Sequence, residues 1–310
     1  MISALKQIII QASNLSKNYG SREAVRSISF EVYEGTCFGF LGPNGAGKSS
    51  TLKMIYGALP PTSGHIGIAG MSITEFPRQV KNILGVVPQE ENLDSELNIL
   101  ENLLVFARYF KIPKRTAKQK ALELLSFFHL EERGDSRVDE LSTGLKKRLL
   151  IARGLMNQPK ILILDEPTTG LDPQSRHIIW QRLRQLKAEG LTILLTTHYM
   201  EEASQLCDTV VIIDQGKILE TGNPAELVKK EIGKEIIEIR TAPDQDSEIL
   251  QHLNDTRFSH ERIGDTLYLY CEDGYQIISQ LASIPHERMI HRPATLEDLF
   301  LKRTGRELSD

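Results

Sequence analysis

The sequence predicts an α/β protein: a largely parallel sheet carrying a phosphate-binding loop, an antiparallel β region before it, a helical insertion within it, and a small second α/β unit at the C-terminal end. Three observations predict this. The apolar run Cys37–Leu41 leads into Gly42-Pro43-Asn44-Gly45-Ala46-Gly47-Lys48-Ser49, which fits G-x-x-x-x-G-K-[ST] at every fixed position, and Ser50–Tyr56 can wind into a helix. Between Lys160 and Thr197, continuous apolar runs flank a helical segment, as buried parallel strands do. After Glu235 a separate set of short strands and helices begins, without motifs.

The loop has a specific chemistry. Gly42, Gly45 and Gly47 allow backbone angles closed to other residues, so that successive N–H groups can form a nest for phosphate oxygens. The helix that follows adds the positive end of its dipole. Lys48 brings a compact ammonium to the outer phosphates, and the Ser49 hydroxyl suits a Mg²⁺ that keeps most of its water.

Composition narrows the class. A chain of 310 residues with 40% hydrophobic content can fill one large domain or two smaller ones. Its 37 basic and 41 acidic residues leave a net charge of −4, with no basic excess that would call for nucleic acid. Cys37, Cys207 and Cys271 are far apart and lack C-x-x-C spacing, so neither a disulfide framework nor a zinc site is expected, and a reducing compartment is. The apolar runs at 8–10, 161–164 and 210–213 fall far short of the roughly 20 residues that span a bilayer, and no signal-peptide core is expected at the N-terminus.

In chain order, Gln7–Ala12, Asn14–Gly20 and Ala24–Val32 read as β segments, the last with the alternation of an antiparallel strand at Val25, Ile28, Phe30 and Val32. Pro60–Gly64 forces a turn and His65–Ala69 returns as a strand. Leu84–Gln89 is a short strand ending on an amide. Helices are expected over Asn98–Phe110 and Ala117–Leu130, the core of an insertion spanning about 90–155. Leu141-Ser142-Thr143-Gly144 then opens a helix through Arg153, with Ser142 as its N-cap. The strand Lys160–Leu164 ends in Asp165-Glu166, Pro167–Asp172 turns, Pro173–Glu189 is helical, and Leu191–Thr197 is a buried strand stopping at His198.

Taken in this order, the loop, Gln89, Ser142-Thr143-Gly144, Asp165-Glu166, Leu171-Asp172 and His198 resemble the nucleotide-binding subunit of an ATP-binding cassette (ABC) transporter over about residues 5–225. The resemblance implies a P-loop NTPase core of the ABC ATPase type, an ATPase that binds ATP and Mg²⁺. It implies phosphate binding by Gly42–Ser49 with Ser50, metal contacts from Ser49, Gln89 and Asp165, and catalytic roles for Glu166, His198 and Gln89. Glu166 is expected one residue beyond the strand, nearer solvent, as a general base on the attacking water. Asp165 holds the metal's water shell, His198 contacts the γ-phosphate, and Tyr19 is the adenine platform, since an aromatic face stacks on a base without a fixed hydrogen-bond pattern.

In the arrangement the family implies, two subunits meet head to tail, and Ser142 and Gly144 of one cap the γ-phosphate held by the other. The partners implied are a second copy or a homologous ATPase, and a separately encoded transmembrane permease through which alone the chain meets the membrane, at its cytoplasmic face. The segment departs from the family's commonest Leu-Ser-Gly-Gly-Gln at Thr143 and Leu145. Thr143 either weakens the capping of ATP or stands where the backbone needs no positive φ. Leu145 removes a polar contact.

The expected division is a nucleotide-binding domain over 1–228 and an accessory domain over 229–310. In the latter, strands at 235–240, 255–261, 266–271 and 288–292 and helices at 247–253 and 274–283 give the order βαββαβ. His252, His260, His286 and His291 have no metal-like spacing. The tail Thr295–Leu308, with Arg176–Trp180 and Thr197–Glu202, resembles ATPases of ABC-2 type exporters, including the daunorubicin-resistance and nodulation-factor export groups. A soluble ABC ATPase with a regulatory or nucleic-acid role is the alternative; such proteins usually carry two cassettes or long coiled-coil insertions, and neither is seen.

Overall fold

The computed structural model describes residues 7–253, 258–281, 284 and 286–304. It divides into two compact units, Met1–Thr221 and Gly222–Ser309, each described here by itself. The division falls at 221/222 and not at the expected 228/229, because the helix beginning at Pro224 packs on the chain's last helix and so belongs to the second unit.

The first unit opens with two long antiparallel strands, β1 (Ile8–Tyr19) and β2 (Arg22–Tyr33). The two segments expected over 7–20 are one strand: a register shift between Ala12 and Leu15, with Asn14 at φ 50°, is a bulge that reads as a break in the sequence. β3 (Cys37–Leu41) runs into the phosphate loop and α1 (Lys48–Ile55). β4 (Ser63–Ile68) pairs antiparallel with β1 and with the short β5 (Met71–Ser72). α2 (Pro77–Asn82), absent from the sequence reading, precedes β6 (Leu84–Val87), which stops two residues before Gln89.

The helical insertion holds α3 (Ile99–Tyr109), α4 (Lys114–Phe127) and α5 (Thr143–Gly154), which pack on one another. α3 begins with a reciprocal cap, the Asn98 side chain accepting from the Glu101 N–H while the Glu101 carboxylate accepts from the Asn98 N–H. Then follow β7 (Ile161–Asp165), α6 (Pro173–Ala188), β8 (Thr192–Thr197), α7 (Met200–Leu206), β9 (Thr209–Asp214) and β10 (Lys217–Gly222).

The second sheet has the order β10-β9-β3-β8-β7-β6, with β9, β3, β8, β7 and β6 paired in parallel. Every residue of β3, β7 and β8 is buried, as a sheet covered on both faces requires. Phe30 of the antiparallel sheet meets Phe38 and Phe40 of the parallel one at ring distances of 5.7 and 5.0 Å, joining both sheets in a single apolar core. The C-terminal ends of β3, β8, β7 and β6 lie side by side, and there the loops that matter gather.

The second unit contains α8 (Pro224–Glu231), β11 (Glu235–Arg240), α9 (Asp246–His252), β12 (Phe258–Ile263), β13 (Thr266–Cys271), α10 (Gly274–Leu281), β14 (Arg288–Pro293) and α11 (Leu296–Thr304). Its antiparallel sheet, ordered β12-β13-β11-β14, follows the expected βαββαβ sequence. The strand expected over 255–261 begins at Phe258, positions 255–257 lying outside the described residues, as do 282–283 of the expected helix and 305–308 of the tail. Ile237, Ile239, Leu267 and Leu269 face Ile249 and Ile277 in its core. The tail forms α11, whose first turn is fixed by Asp298: it accepts from the Thr295 N–H at 2.8 Å and pairs with Arg292 at 2.6 Å. Among the described residues no helix is long and apolar enough to cross a membrane, and no cluster of three or more His, Cys, Asp or Glu could hold a metal.

Candidate functional site

A cavity of about 370 Å³ opens over the phosphate loop, lined by Tyr19, Arg22, Ala24, Asn44, Gly45, Gly47, Lys48, Ser49, Ser50, Gln89 and Glu166. Residues from 19 to 166 thus meet in one space because β1, β3, β6 and β7 end around it. Gly45 and Gly47 take φ of 81° and 105°, the conformation expected of the nest. Gly42 is a glycine for another reason: its φ is not positive, and a Cβ there would lie 2.1 Å from the Ile213 carbonyl of β9. α1 begins at Lys48 with no side-chain cap and no acid in its first turn, so its N-terminal amides stay available for an anion.

The charges inside the site are satisfied by one another. Lys48 Nζ donates to the carbonyls of Gly42 at 2.7 Å and Pro43 at 3.1 Å and stands 3.4 Å from the Glu166 carboxylate. Burial works against the lysine's charge, opposed by the attraction of Glu166 and Asp165. Burial would likewise raise Glu166, but the Lys48 ammonium and His198 outweigh it and hold the carboxyl below its usual range. Glu166 is not nearer solvent than Asp165, as the sequence led one to expect: both are 4% exposed. The reason is its backbone. At φ 48° Glu166 turns out of β7 in the left-handed region, its N–H bonded to Thr196, and its side chain lies against Lys48, Thr169 and His198.

Asp165 Oδ1 accepts from Ser49 Oγ at 3.0 Å and from Thr196 Oγ1 at 2.5 Å. These two hard oxygen donors, Ser49 and Asp165, fit the demands of a small divalent cation. His198 does not line the cavity; its Nδ1 lies 3.1 Å from Glu166 Oε2 and so reaches the site through that carboxylate. Tyr19 is 48% exposed at the cavity wall, its hydroxyl 3.4 Å from Ser50 Oγ and its ring 5.5 Å beneath Lys17 Nζ.

Ser142 and Gly144 are absent from the cavity lining. Ser142 caps α5 as expected, accepting from the Leu145 N–H at a long 3.4 Å. Thr143 is exposed and opens the helix without positive φ, so the substitution strains nothing. Gly144 leaves room for Ser175: an added Cβ would lie 2.7 Å from that hydroxyl. The sequence reading missed Arg22 and Ala24 in the cavity wall and Thr169 and Thr196 beside the two acids. Arg22 reaches the wall because it pairs with Tyr19 directly across the β1–β2 turn; its nearness in sequence, two residues beyond Gly20, was the only signal.

This fold and site define an ATP-binding cassette ATPase, and comparison with known proteins agrees. The family profile described as ABC transporter matches residues 25–169, and that described as the nodulation factor export protein C-terminal domain matches 247–305. The chain belongs to the ABC transporter ATP-binding family. Within that family it is 46% identical over 301 residues to the Nod factor export ATP-binding protein I of Burkholderia orbicola, covering 97% of this chain and 98% of the relative. To the protein of the same name from Rhizobium meliloti it is 45% identical over 308 residues, covering 99% and 91%. Among solved structures it is similar to an ATP-binding subunit of an ABC transporter, at 30% identity and a TM-score of 0.65 over 72% of this chain and 92% of that one. A dimeric ATP-binding cassette in a post-hydrolysis state with ADP and Pi matches at 26% identity and a TM-score of 0.64, covering 69% and 98%. The chain is thus an ATP-binding, ATP-hydrolysing subunit of an ABC exporter.

Proposed function

We propose that this subunit binds Mg²⁺-ATP in the cavity above the phosphate loop, pairs with a second copy around two such nucleotides, and drives export of a Nod-factor-type cargo through a separate membrane permease at the cytoplasmic face. The observation that carries the reading is the cavity itself, which gathers Tyr19, the loop, Gln89 and Glu166 in one space. Tyr19 stacks on adenine, and Gly42, Pro43, Asn44, Gly45, Ala46, Gly47, Lys48, Ser49 and Ser50 hold the phosphates. Ser49, Asp165 and Gln89 would hold the metal, which when bound neutralises charge on the phosphate oxygens.

Glu166 orients and deprotonates the attacking water, with His198 holding the carboxylate until a γ-phosphate enters. Ser142 and Gly144 of the second copy close over the γ-phosphate. The cargo follows from the names of the relatives, which describe Nod factor export. The proposed division of labour makes the first unit, to Thr221, the motor and the second, from Gly222, an accessory domain.

The test is ATP hydrolysis by wild type and Glu166→Gln. The variant should bind ATP and lose activity by roughly 10²- to 10⁴-fold, the range for a general base. A rate equal to wild type would exclude Glu166 as the base. Retention by a membrane protein on purification supports the transport role, while exclusive binding to ribosomes or DNA would overturn it.

A further inference from the structure

Two sequence stretches, Arg176–Trp180 and Thr197–Glu202, line none of the nucleotide cavity, only His198 reaching it through Glu166, yet the fold joins them through one buried acid. Glu202, in α7, is fully buried, as are Thr168 in the loop after Glu166 and Trp180 in α6. One carboxyl oxygen of Glu202 accepts from both: Thr168 Oγ1 at 2.7 Å and Trp180 Nε1 at 2.9 Å. The next residue in the loop, Thr169, donates to Glu166 Oε2 at 3.0 Å. Arg176 closes the outer side of the cluster, its guanidinium 4.9 Å from the Tyr199 ring and 5.9 Å from the Trp180 ring.

A buried carboxyl is costly unless it is hydrogen-bonded, and a leucine would fill the same space without that cost. Apolar packing sets position by volume and shape, whereas two directional bonds on one atom also fix the orientation of three segments towards one another. The segments fixed here are α6, the head of α7 that follows His198, and the loop that follows Glu166. Burial pushes the Glu202 carboxyl up from its ordinary value, against the pull of its hydrogen bonds. The oxygen of a glutamine amide can accept from Thr168 and Trp180 as Oε1 does, so an amide is a fair geometric mimic at this position.

We propose that Glu202 is a positioning residue of the hydrolytic site: by pinning Thr168 and Trp180 through one oxygen, it holds the adjoining Thr169 hydroxyl on Glu166 and so aims the base. The inference rests on the catalytic reading of Glu166 above. It gives Glu202 no contact with nucleotide, so its loss acts on the chemical step and spares ATP affinity.

The test uses the full chain and compares ATP hydrolysis by wild type, Glu202→Leu, Glu202→Gln, Thr168→Val and Thr168→Ser. Glu202→Leu should lower kcat roughly tenfold or more with KM changed less than about twofold, the pattern of a misplaced catalytic group. Because Trp180 is the single tryptophan of the chain, its emission should shift in the same variant as its N–H loses its acceptor. Glu202→Gln keeps an acceptor and should return kcat to within about threefold of wild type; Thr168→Ser should do the same where Thr168→Val does not. If Glu202→Leu fails to fold, the Thr168 pair decides. Wild-type kcat in folded Glu202→Leu or in Thr168→Val, or a Glu202→Gln as slow as Glu202→Leu, overturns the proposal. Glu166→Gln separates the two readings: if it is inactive while Thr168→Val is normal, the base stands and only the brace falls; if it is active, the reading of the base itself is wrong.

Discussion

Two helix ends in the first unit have the same polarity and opposite states of readiness. At α1 the first turn carries no acid and no side-chain cap, and it stands beside a buried ammonium at a cavity. At α5 the first turn also lacks an acid, but Ser142 caps it from within and stands exposed with Thr143. Both are suited to anions. Only the first borders the cavity that this chain lines by itself. The difference teaches that the first helix end opens into a cavity lined by its own chain, whereas at the α5 end the Ser142 hydroxyl, while accepting from the Leu145 N–H, keeps its own proton to donate to a phosphate that must come from outside that cavity.

The largest effect that would test this contrast is expected at Lys48. Lys48→Met should weaken ATP binding to the isolated subunit by roughly 30-fold or more, the loss expected when one member of a buried charge pair is removed, measured by titration with a fluorescent nucleotide. Ser142→Ala should leave that affinity unchanged and instead suppress ATP-dependent pairing of subunits, read by size-exclusion chromatography; the lost cap should also cost about 1 kcal/mol of stability. A Ser142→Ala subunit that fails to bind ATP when alone would erase the distinction between the two ends.

A smaller effect is expected from acid. Because Glu166 is held below its usual range, the folded state keeps it ionised where the unfolded chain, with an ordinary value of about 4.3, takes up a proton. The stabilisation from the Lys48–Glu166 pair is therefore complete above that value and is lost as the pH falls through it towards the lower folded value. Melting temperatures measured across this window should fall less steeply for Glu166→Gln than for wild type; parallel curves would show that the pair contributes nothing. Least of all is expected from Thr143→Gly. With no positive φ to relieve, it should leave hydrolysis within about twofold of wild type and lower stability by roughly 0.5 kcal/mol or less at an exposed first-turn position.

Much of this was legible in the sequence, and the reason is locality. The phosphate loop, the Ser142 cap and the buried run before Asp165 are each set by a few adjacent residues, and each forms where it is read. The βαββαβ order of the second unit follows from alternation alone. What was hidden depends on tertiary contact. No local pattern places β3 between β9 and β8, and none shows that Gly42 is required by the Ile213 carbonyl of a strand far along the chain. The bulge at Asn14 made one strand look like two. α7 was missed because it lacks a side-chain cap at Tyr199 and is only seven residues long. The burial of Glu166 was missed because its left-handed turn is imposed by Thr196 and Thr169, not by its own residue type.

The contact between Lys48 and Glu166 has a consequence for turnover. Lys48 Nζ stands 3.4 Å from the Glu166 carboxylate, so a phosphate that engages this ammonium would have to share it with that carboxylate. A phosphate sharing Lys48 would weaken the pull that holds the Glu166 carboxyl below its usual range, so on the proposed reading substrate itself would help to arm the base. Departure of product would be eased by the same exchange, the carboxylate taking the lysine as phosphate leaves. Nucleotide binding by Glu166→Gln reads this directly: with the resident competitor neutralised, ATP and ADP should both be held more tightly than by wild type, and unchanged affinity would rule the exchange out.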